Sequence, residues 1–125
     1  MKKLSSFVLL FGVLTVAARA VCEDSSSATD QGTFISIKQA DGGESRAFVA
    51  GPADARFAVL IVHDYFGISD ATKQSVRHLG ALGYRSLAVD LYGGQSATIH
   101  EEAVKLMQSL DRKATDKILE SGLNY

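Results

Sequence analysis

Two kinds of hydrophobic pattern alternate along this chain, and together they predict an α/β fold. Segment 58–62 (AVLIV) is continuously apolar, as is typical of a buried parallel strand. A helix with one apolar face is predicted after it, because its inward positions recur at spacings of three and four. These positions are Ile68, Thr72, Val76, Leu79 and Leu82. A second buried strand is predicted over 84–92, and because strand, helix and strand form a right-handed crossover, the two strands should be parallel.

The segment before this unit predicts a β-hairpin. Residues 33–38 (TFISIK) alternate large apolar side chains with small or polar ones, and a second short apolar run follows at 46–50 (RAFVA). Between them, Asp41 and two glycines supply the chemistry of a tight turn. We therefore expect an antiparallel hairpin at the edge of the sheet, followed by the parallel strands with their flanking helices.

The last part of the chain predicts further helices. Thr98 and Glu101 have the spacing of a capping box, in which each side chain satisfies a backbone N–H at the start of a helix. Asp111 can cap a separate helix after that one. The apolar spacing also permits one long helix, so the sequence leaves the boundary open.

Residues 1–20 have the features of a secretory signal peptide. Two lysines precede the apolar run 7–18, and small residues at 18 and 20 form a cleavage site. The run is shorter than the about 20 residues that a membrane span needs, so no membrane association is expected after cleavage. Residues 21–32 are polar and serine-rich, which indicates a flexible leader. We expect an exported protein, periplasmic or secreted, with one folded unit over 33–125.

Charge and cysteine content limit the classes of partner. The chain has 13 basic and 14 acidic side chains and a formal net charge of −1. No basic run follows the signal peptide, so nucleic acid is not an expected partner. Cys22 is the one cysteine of the sequence and cannot form an internal disulfide. The sequence leaves the oligomeric state open.

Polar side chains follow both predicted parallel strands. His63 and Asp64 come directly after the first strand, and Asp90 lies near the end of the second. Ligands of open α/β sheets bind beyond the carboxyl ends of the strands, so these positions are the first candidates for chemistry. One hypothesis is a magnesium site, because Asp64 and Asp90 together could hold a hard cation in a receiver-like module. Another is a non-catalytic exported binding module.

Three segments resemble the amino-terminal half of the dienelactone hydrolase family, which has the α/β-hydrolase fold. They are HDYFG at 63–67, GISDATKQSVRHLGALGY at 67–84 and LAVDLYGGQ at 87–95. The resemblance covers about residues 33–125. It implies a partial α/β-hydrolase fold that stops before the nucleophile elbow, and a hydrolase acting on a small ester or lactone without a cofactor or metal.

The resemblance also implies roles for two residues after the first strand. Family members commonly carry glutamate where Asp64 stands, and that carboxylate helps to generate the thiolate of a catalytic cysteine. Asp64 is one methylene shorter, so its reach differs. The backbone N–H of Tyr65 corresponds to one donor of the family's oxyanion hole, a role that depends on main-chain geometry.

Further positions are implied to contact the substrate. His63, Phe66 and Tyr92 are predicted to line the substrate pocket. Gly94 stands where family members that handle the dienelactone carry an arginine for the substrate carboxylate, so substrate preference should differ. The resemblance implies that the family's nucleophile elbow, a cysteine or serine flanked by glycines, and its later catalytic aspartate and histidine fall beyond residue 125. The fragment alone is therefore expected to be inactive.

Overall fold

The computed structural model describes residues 31–125, and these form one mixed sheet with helices on both faces. The predicted signal peptide and all but the last two residues of the predicted leader lie outside the described residues. The elements in chain order are β1 (Thr33–Lys38), β2 (Glu44–Ala50), β3 (Ala58–Val62), α1 (Asp70–Ala81), β4 (Arg85–Val89), α2 (His100–Gln108) and α3 (Arg112–Leu123). The strand order within the described sheet is β1-β2-β4-β3.

Strand pairing confirms both the hairpin and the parallel crossover. β1 and β2 pair antiparallel, with Phe34 opposite Phe48. β3 and β4 pair parallel, with Val62 opposite Val89. β2 is also antiparallel to β4 and places Ala47 beside Val89. The start of β2 and the ends of β3 and β4 therefore meet at the same edge of the sheet.

The core lies on the two faces of β4. All four of its residues from Ser86 to Val89 are at most 3% exposed. On one face, Ala88 belongs to a cluster with Phe48 of β2 and Val76 of α1. On the other face, Leu87 and Val89 pack with side chains from β1, β2 and α3. Full burial of one such aliphatic side chain stabilises the fold by about 2 kcal/mol.

β3 is only partly buried, contrary to the prediction of a buried strand. Its three central residues are half-buried, and Val62 is 55% exposed. The reason is its position at the edge of the described sheet, where it has β4 as a neighbour on one side only. A continuous apolar run indicates a strand, but which strand becomes central depends on pairing with distant segments.

α1 begins and ends at specific capping residues. The Ser69 hydroxyl accepts a hydrogen bond from the Thr72 N–H, which satisfies one free donor of the first turn. At the other end, Gly83 has φ +90° and the Tyr84 N–H bonds back to the Leu79 carbonyl, as in a Schellman motif. Leu82, predicted to face the core, is instead 61% exposed because it lies at this cap.

α2 and α3 are separate helices, and the predicted capping box does not form. α2 has Ile99 at its N-cap with no side-chain hydrogen bond, and the Thr98 N–H donates to Glu102 rather than Glu101. The Asp111 carboxylate caps α3 by accepting from the Ala114 N–H at 2.8 Å, as predicted. Within residues 31–125, no helix has the length and apolar character of a membrane span.

Candidate active site

The chain makes a tight corner immediately after β3. Asp64 forms this corner through two hydrogen bonds. Its side-chain carboxylate accepts from the Phe66 N–H at 2.9 Å, and its backbone carbonyl accepts from the Gly67 N–H at 3.1 Å. Such an Asx turn reverses the chain without a regular element. Tyr65 stands at the tip and is 38% exposed. The corner is therefore open to solvent at the carboxyl edge of the sheet.

The backbone N–H of Tyr65 is a free donor in this corner. Neither of its flanking turn hydrogen bonds uses it, and it donates to no acceptor among residues 31–125. Asp64 is also exposed, so a carboxylate and an unused amide lie at adjacent positions of the same turn. An unused backbone donor at a fixed turn can stabilise a negative oxygen that develops during acyl transfer.

A second loop, residues 90–97, follows β4 and is organised by Asp90. This side chain is 4% exposed, and its two carboxylate oxygens accept from the N–H groups of Tyr92 at 3.0 Å and Gly94 at 2.7 Å. Buried carboxylates require such donors, because burial without hydrogen bonds is costly. Asp90 thus braces its own loop with both of its carboxylate oxygens.

His63 joins the two loops. Its Nε2 accepts from the Leu91 N–H at 3.1 Å, and its Nδ1 lies 2.7 Å from the Asp64 carbonyl. These two contacts fit the neutral tautomer that carries its proton on Nδ1. The imidazole also packs on the Tyr92 ring, with 4.8 Å between ring centroids. Because both ring nitrogens are engaged in the scaffold, His63 positions the corner in this structure.

Further contacts fix the corner against the 90–97 loop. The Tyr92 hydroxyl donates to the Tyr65 carbonyl at 3.3 Å, and the Ala97 N–H donates to the Phe66 carbonyl at 2.9 Å. Gly67 has φ +91°, and a Cβ there would lie 3.1 Å from the Tyr92 ring and 2.9 Å from a carbonyl of the loop. The two loops therefore approach closely enough to require glycine at this position.

Burial and charge both act on Tyr92. Its side chain is 7% exposed, and burial, assisted by the negative charge of Asp64, raises the pKa of the Tyr92 hydroxyl above its ordinary value. The hydroxyl is thus kept protonated, which it needs in order to donate to the Tyr65 carbonyl.

The five predicted site residues come together at one corner of the sheet. They are His63, Asp64, Tyr65, Phe66 and Tyr92. Sequence reasoning missed the contacts that Leu91 and Ala97 make through their backbone N–H groups. Because those contacts use main-chain atoms of ordinary residues, no side-chain motif could have revealed them. A cavity of about 260 Å³ adjoins the 90–97 loop and has Tyr92, Leu91 and side chains of α2 and α3 in its wall; Phe66 is not part of that wall.

The two aspartates of the magnesium hypothesis, Asp64 and Asp90, both bind backbone donors of their own loops. Asp90 has committed both oxygens to backbone donors, and one Asp64 oxygen holds the corner. Mg²⁺ takes six oxygen ligands, of which one or two carboxylates and several waters are usual, so it would need accessible oxygens on both side chains. Within residues 31–125 no three histidine, cysteine or acidic side chains cluster in a way that could hold a metal ion.

Comparisons with known proteins identify relatives from one family. Residues 45–124 match the dienelactone hydrolase family. The chain is 31% identical over 101 residues to a carboxymethylenebutenolidase of Pseudomonas putida and to one of Pseudomonas knackmussii. Each alignment covers 73% of this chain and 43% of the relative. The chain therefore spans less than half the length of these relatives.

Solved structures show the same fold. A dienelactone hydrolase-like promiscuous phosphotriesterase from metagenomic libraries superposes with a TM-score of 0.58 at 21% identity, covering 75% of this chain and 42% of that one. A dienelactone hydrolase of Klebsiella pneumoniae gives a TM-score of 0.54 at 21% identity, covering 71% and 42%. The strand order of the sheet, the corner after β3 and these matches all indicate the same fold. This chain belongs to the dienelactone hydrolase family and has part of the α/β-hydrolase fold.

Proposed function

We propose that this chain is the amino-terminal part of an exported hydrolase that cleaves an ester or a lactone. The observation that carries the proposal is the exposed corner at Asp64 and Tyr65, which offers an unused backbone N–H beside a carboxylate. Membership of the family supports hydrolysis, and the relatives named carboxymethylenebutenolidase are named for a lactone substrate. The signal-like residues 1–20 support export.

The proposed reaction is acyl transfer in two steps. A cysteine or serine outside residues 1–125 attacks the carbonyl carbon, and the Tyr65 N–H donates to the resulting negative oxygen. The alkoxide leaves with a proton, and water then hydrolyses the acyl-enzyme to release the acid and restore the nucleophile. Phe66 and Tyr92 border the acyl group, and Asp64 assists ionisation of the nucleophile. His63 holds the corner in shape.

The test is an esterase assay on the protein expressed with all the sequence that its gene encodes after residue 125. We expect turnover of 4-nitrophenyl butyrate. Asp64→Asn keeps an oxygen that can accept from the Phe66 N–H but removes the charge, so it should lower kcat/KM by about 100-fold. Asp54→Asn is the matched control, because Asp54 is also exposed but lies before β3, at the other end of the sheet.

Two results would contradict parts of this proposal. Equal rates for the Asp64→Asn and Asp54→Asn variants would remove the role of Asp64. A folded protein that hydrolyses neither esters nor lactones would rule out the hydrolase and favour the binding module. Thermal unfolding of each variant shows whether the substitution has lowered the stability of the folded protein.

A further inference from the structure

The first described residues enter the sheet beside α1. The Gln31 carbonyl accepts a hydrogen bond from the Arg77 Nε–H at 2.6 Å, and Gly32 follows with φ +69°. A Cβ at Gly32 would lie 2.6 Å from the Phe48 ring, so glycine lets the backbone press onto that ring. The place where the preceding residues join the fold is therefore fixed next to the Arg77 guanidinium.

Three cations surround this place of entry. The rings of Phe34 and Phe48 contact each other edge to face, with 5.1 Å between their centroids. Arg77 lies over the Phe48 ring, with its Cζ 5.2 Å from the centroid. Arg46 Cζ lies 3.6 Å, and the Lys73 ammonium 5.9 Å, from the centroid of Phe34. Cation–π contacts thus gather three positive groups around two rings, and we call Arg46, Lys73 and Arg77 the cationic surface.

Two of these three cations have no carboxylate beside them in the part of the chain that the structure describes. Lys73 pairs with Asp70 at 3.1 Å, but neither ion pair among residues 31–125 includes Arg46 or Arg77. Both arginines are exposed. A guanidinium that lies over a ring keeps N–H groups along its edge, where it can bind a carboxylate. The cationic surface therefore suits an acidic partner.

Residues 21–30 carry the matching charge, and we call them the acidic segment. Their sequence, VCEDSSSATD, has three acidic and no basic side chains. Asp30 directly precedes Gln31, whose carbonyl Arg77 holds. The seven residues from Asp24 to Gln31 can span up to about 23 Å, whereas Lys73 lies about 6 Å from Arg77 along α1. The acidic segment is therefore long enough to reach the whole cationic surface.

We infer that the acidic segment binds the cationic surface of its own chain, with Asp30 on Arg77 and the adjacent acids Glu23 and Asp24 on the other two cations. Exposed ion pairs are individually weak and are screened by salt, so the contact is reversible and salt-dependent. A flexible segment can bind in this way through its charges alone. The inference does not depend on the proposed hydrolysis, because none of these side chains belongs to the corner after β3.

Proteolysis within the acidic segment tests this contact. The protein with its full coding sequence, beginning at Val21 as export would leave it, is treated at low salt with a protease that cleaves after glutamate. Cleavage after Glu23 is followed by mass spectrometry. It should be about 5-fold faster in Arg46→Met/Arg77→Met than in wild type, because a bound segment is cleaved only when it is released. About 0.5 M sodium chloride should remove the difference, and a peptide of residues 21–31 corrects for the effect of salt on the protease.

Two further variants separate lost charge pairs from a loosened fold. Arg56→Met/Arg112→Met is the matched control, because both arginines are exposed but lie before β3 and at the start of α3; its cleavage rate should equal that of wild type. In Asp24→Asn/Asp30→Asn, which keeps Glu23, the Arg46→Met/Arg77→Met change should no longer accelerate cleavage, because the pairs are already lost.

Three results would overturn the inference. The first is an equal cleavage rate in wild type and Arg46→Met/Arg77→Met. The second is an acceleration that persists in full when Asp24 and Asp30 are neutral, since it would report a loosened start of β1. The third is protection that grows with protein concentration, which would assign the cationic surface to the acidic segment of a second copy.

Discussion

β3 and β4 have similar apolar sequences, lie parallel and each end close to an aspartate, yet they occupy different environments. Val62 of β3 and Val89 of β4 are direct partners in the sheet, but the first is 55% exposed and the second is fully buried. β4 has neighbours on both sides within the described sheet, whereas β3 forms its edge. Similar local sequence therefore gives one strand that forms the core and one that presents the candidate site.

The two aspartates differ in the same way. Asp90 is buried and gives both carboxylate oxygens to its own loop. Asp64 is exposed and uses one carboxylate oxygen in the corner. Burial thus commits one acid to architecture and leaves the other accessible for chemistry. Substitutions at matched positions of the two strands test this difference.

The largest difference is expected between the aspartates. Asp90→Ala leaves two backbone N–H groups without acceptors in a buried site and should lower the free energy of unfolding by about 3 kcal/mol. Asp64→Ala should lower it by less than about 1 kcal/mol, because solvent can replace the lost acceptor. Urea denaturation of the 125-residue chain measures both. Similar losses would mean that the two acids do not divide into a structural and an accessible group.

A smaller difference is expected within the paired valines. Val89→Ala removes two buried methyl groups and should cost about 2 kcal/mol of unfolding free energy. Val62→Ala should change it by less than about 0.5 kcal/mol, because this side chain is mostly in solvent. The same denaturation experiment compares them. A cost at Val62 as large as that at Val89 would indicate that another surface covers β3 in solution.

The smallest effect is expected at the hydrogen bond that links the two loops. Tyr92→Phe removes the donor to the Tyr65 carbonyl and should cost about 1 kcal/mol near neutral pH. Tyr84→Phe is the control, because Tyr84 is 38% exposed and its hydroxyl makes no hydrogen bond with residues 31–125.

The pH dependence of this effect has a definite sign. The pKa of Tyr92 is raised in the folded state, so its contribution to stability is fully present below the unfolded pKa of about 10 and is lost as pH rises through the folded value. Wild type should therefore lose stability more steeply than Tyr92→Phe in alkaline solution. Parallel pH profiles for the two proteins would contradict the raised pKa.

Much of the fold could be predicted from local pattern. Period-two alternation in residues 33–38 and continuous apolarity in 58–62 predict strands, because side-chain spacing is a local property of the backbone. Caps such as Ser69 and Asp111 are equally local, since each binds an amide three residues away. The capping box at Thr98 does not form because the helix begins one residue later, with Ile99 at the N-cap and the Thr98 N–H donating to Glu102. Pattern alone does not resolve a difference of one residue.

The candidate site was predictable in position but not in construction. A polar HDYFG segment after an apolar strand points to the carboxyl edge of the sheet, and its residues do lie there. The bonds that hold it come from backbone N–H groups at Leu91 and Ala97, about thirty residues later in the chain. Any residue except proline carries that donor, so the sequence contains no signal for it.

Local sequence was enough to predict the strands and helices, the parallel crossover and the chemical groups that follow β3. Long-range packing, in contrast, makes β4 rather than β3 the central strand and buries Asp90 beneath the loop that its carboxylate holds. The physical reason is that periodicity and capping act over a few residues, whereas burial and the pairing of loops depend on which distant segments become neighbours.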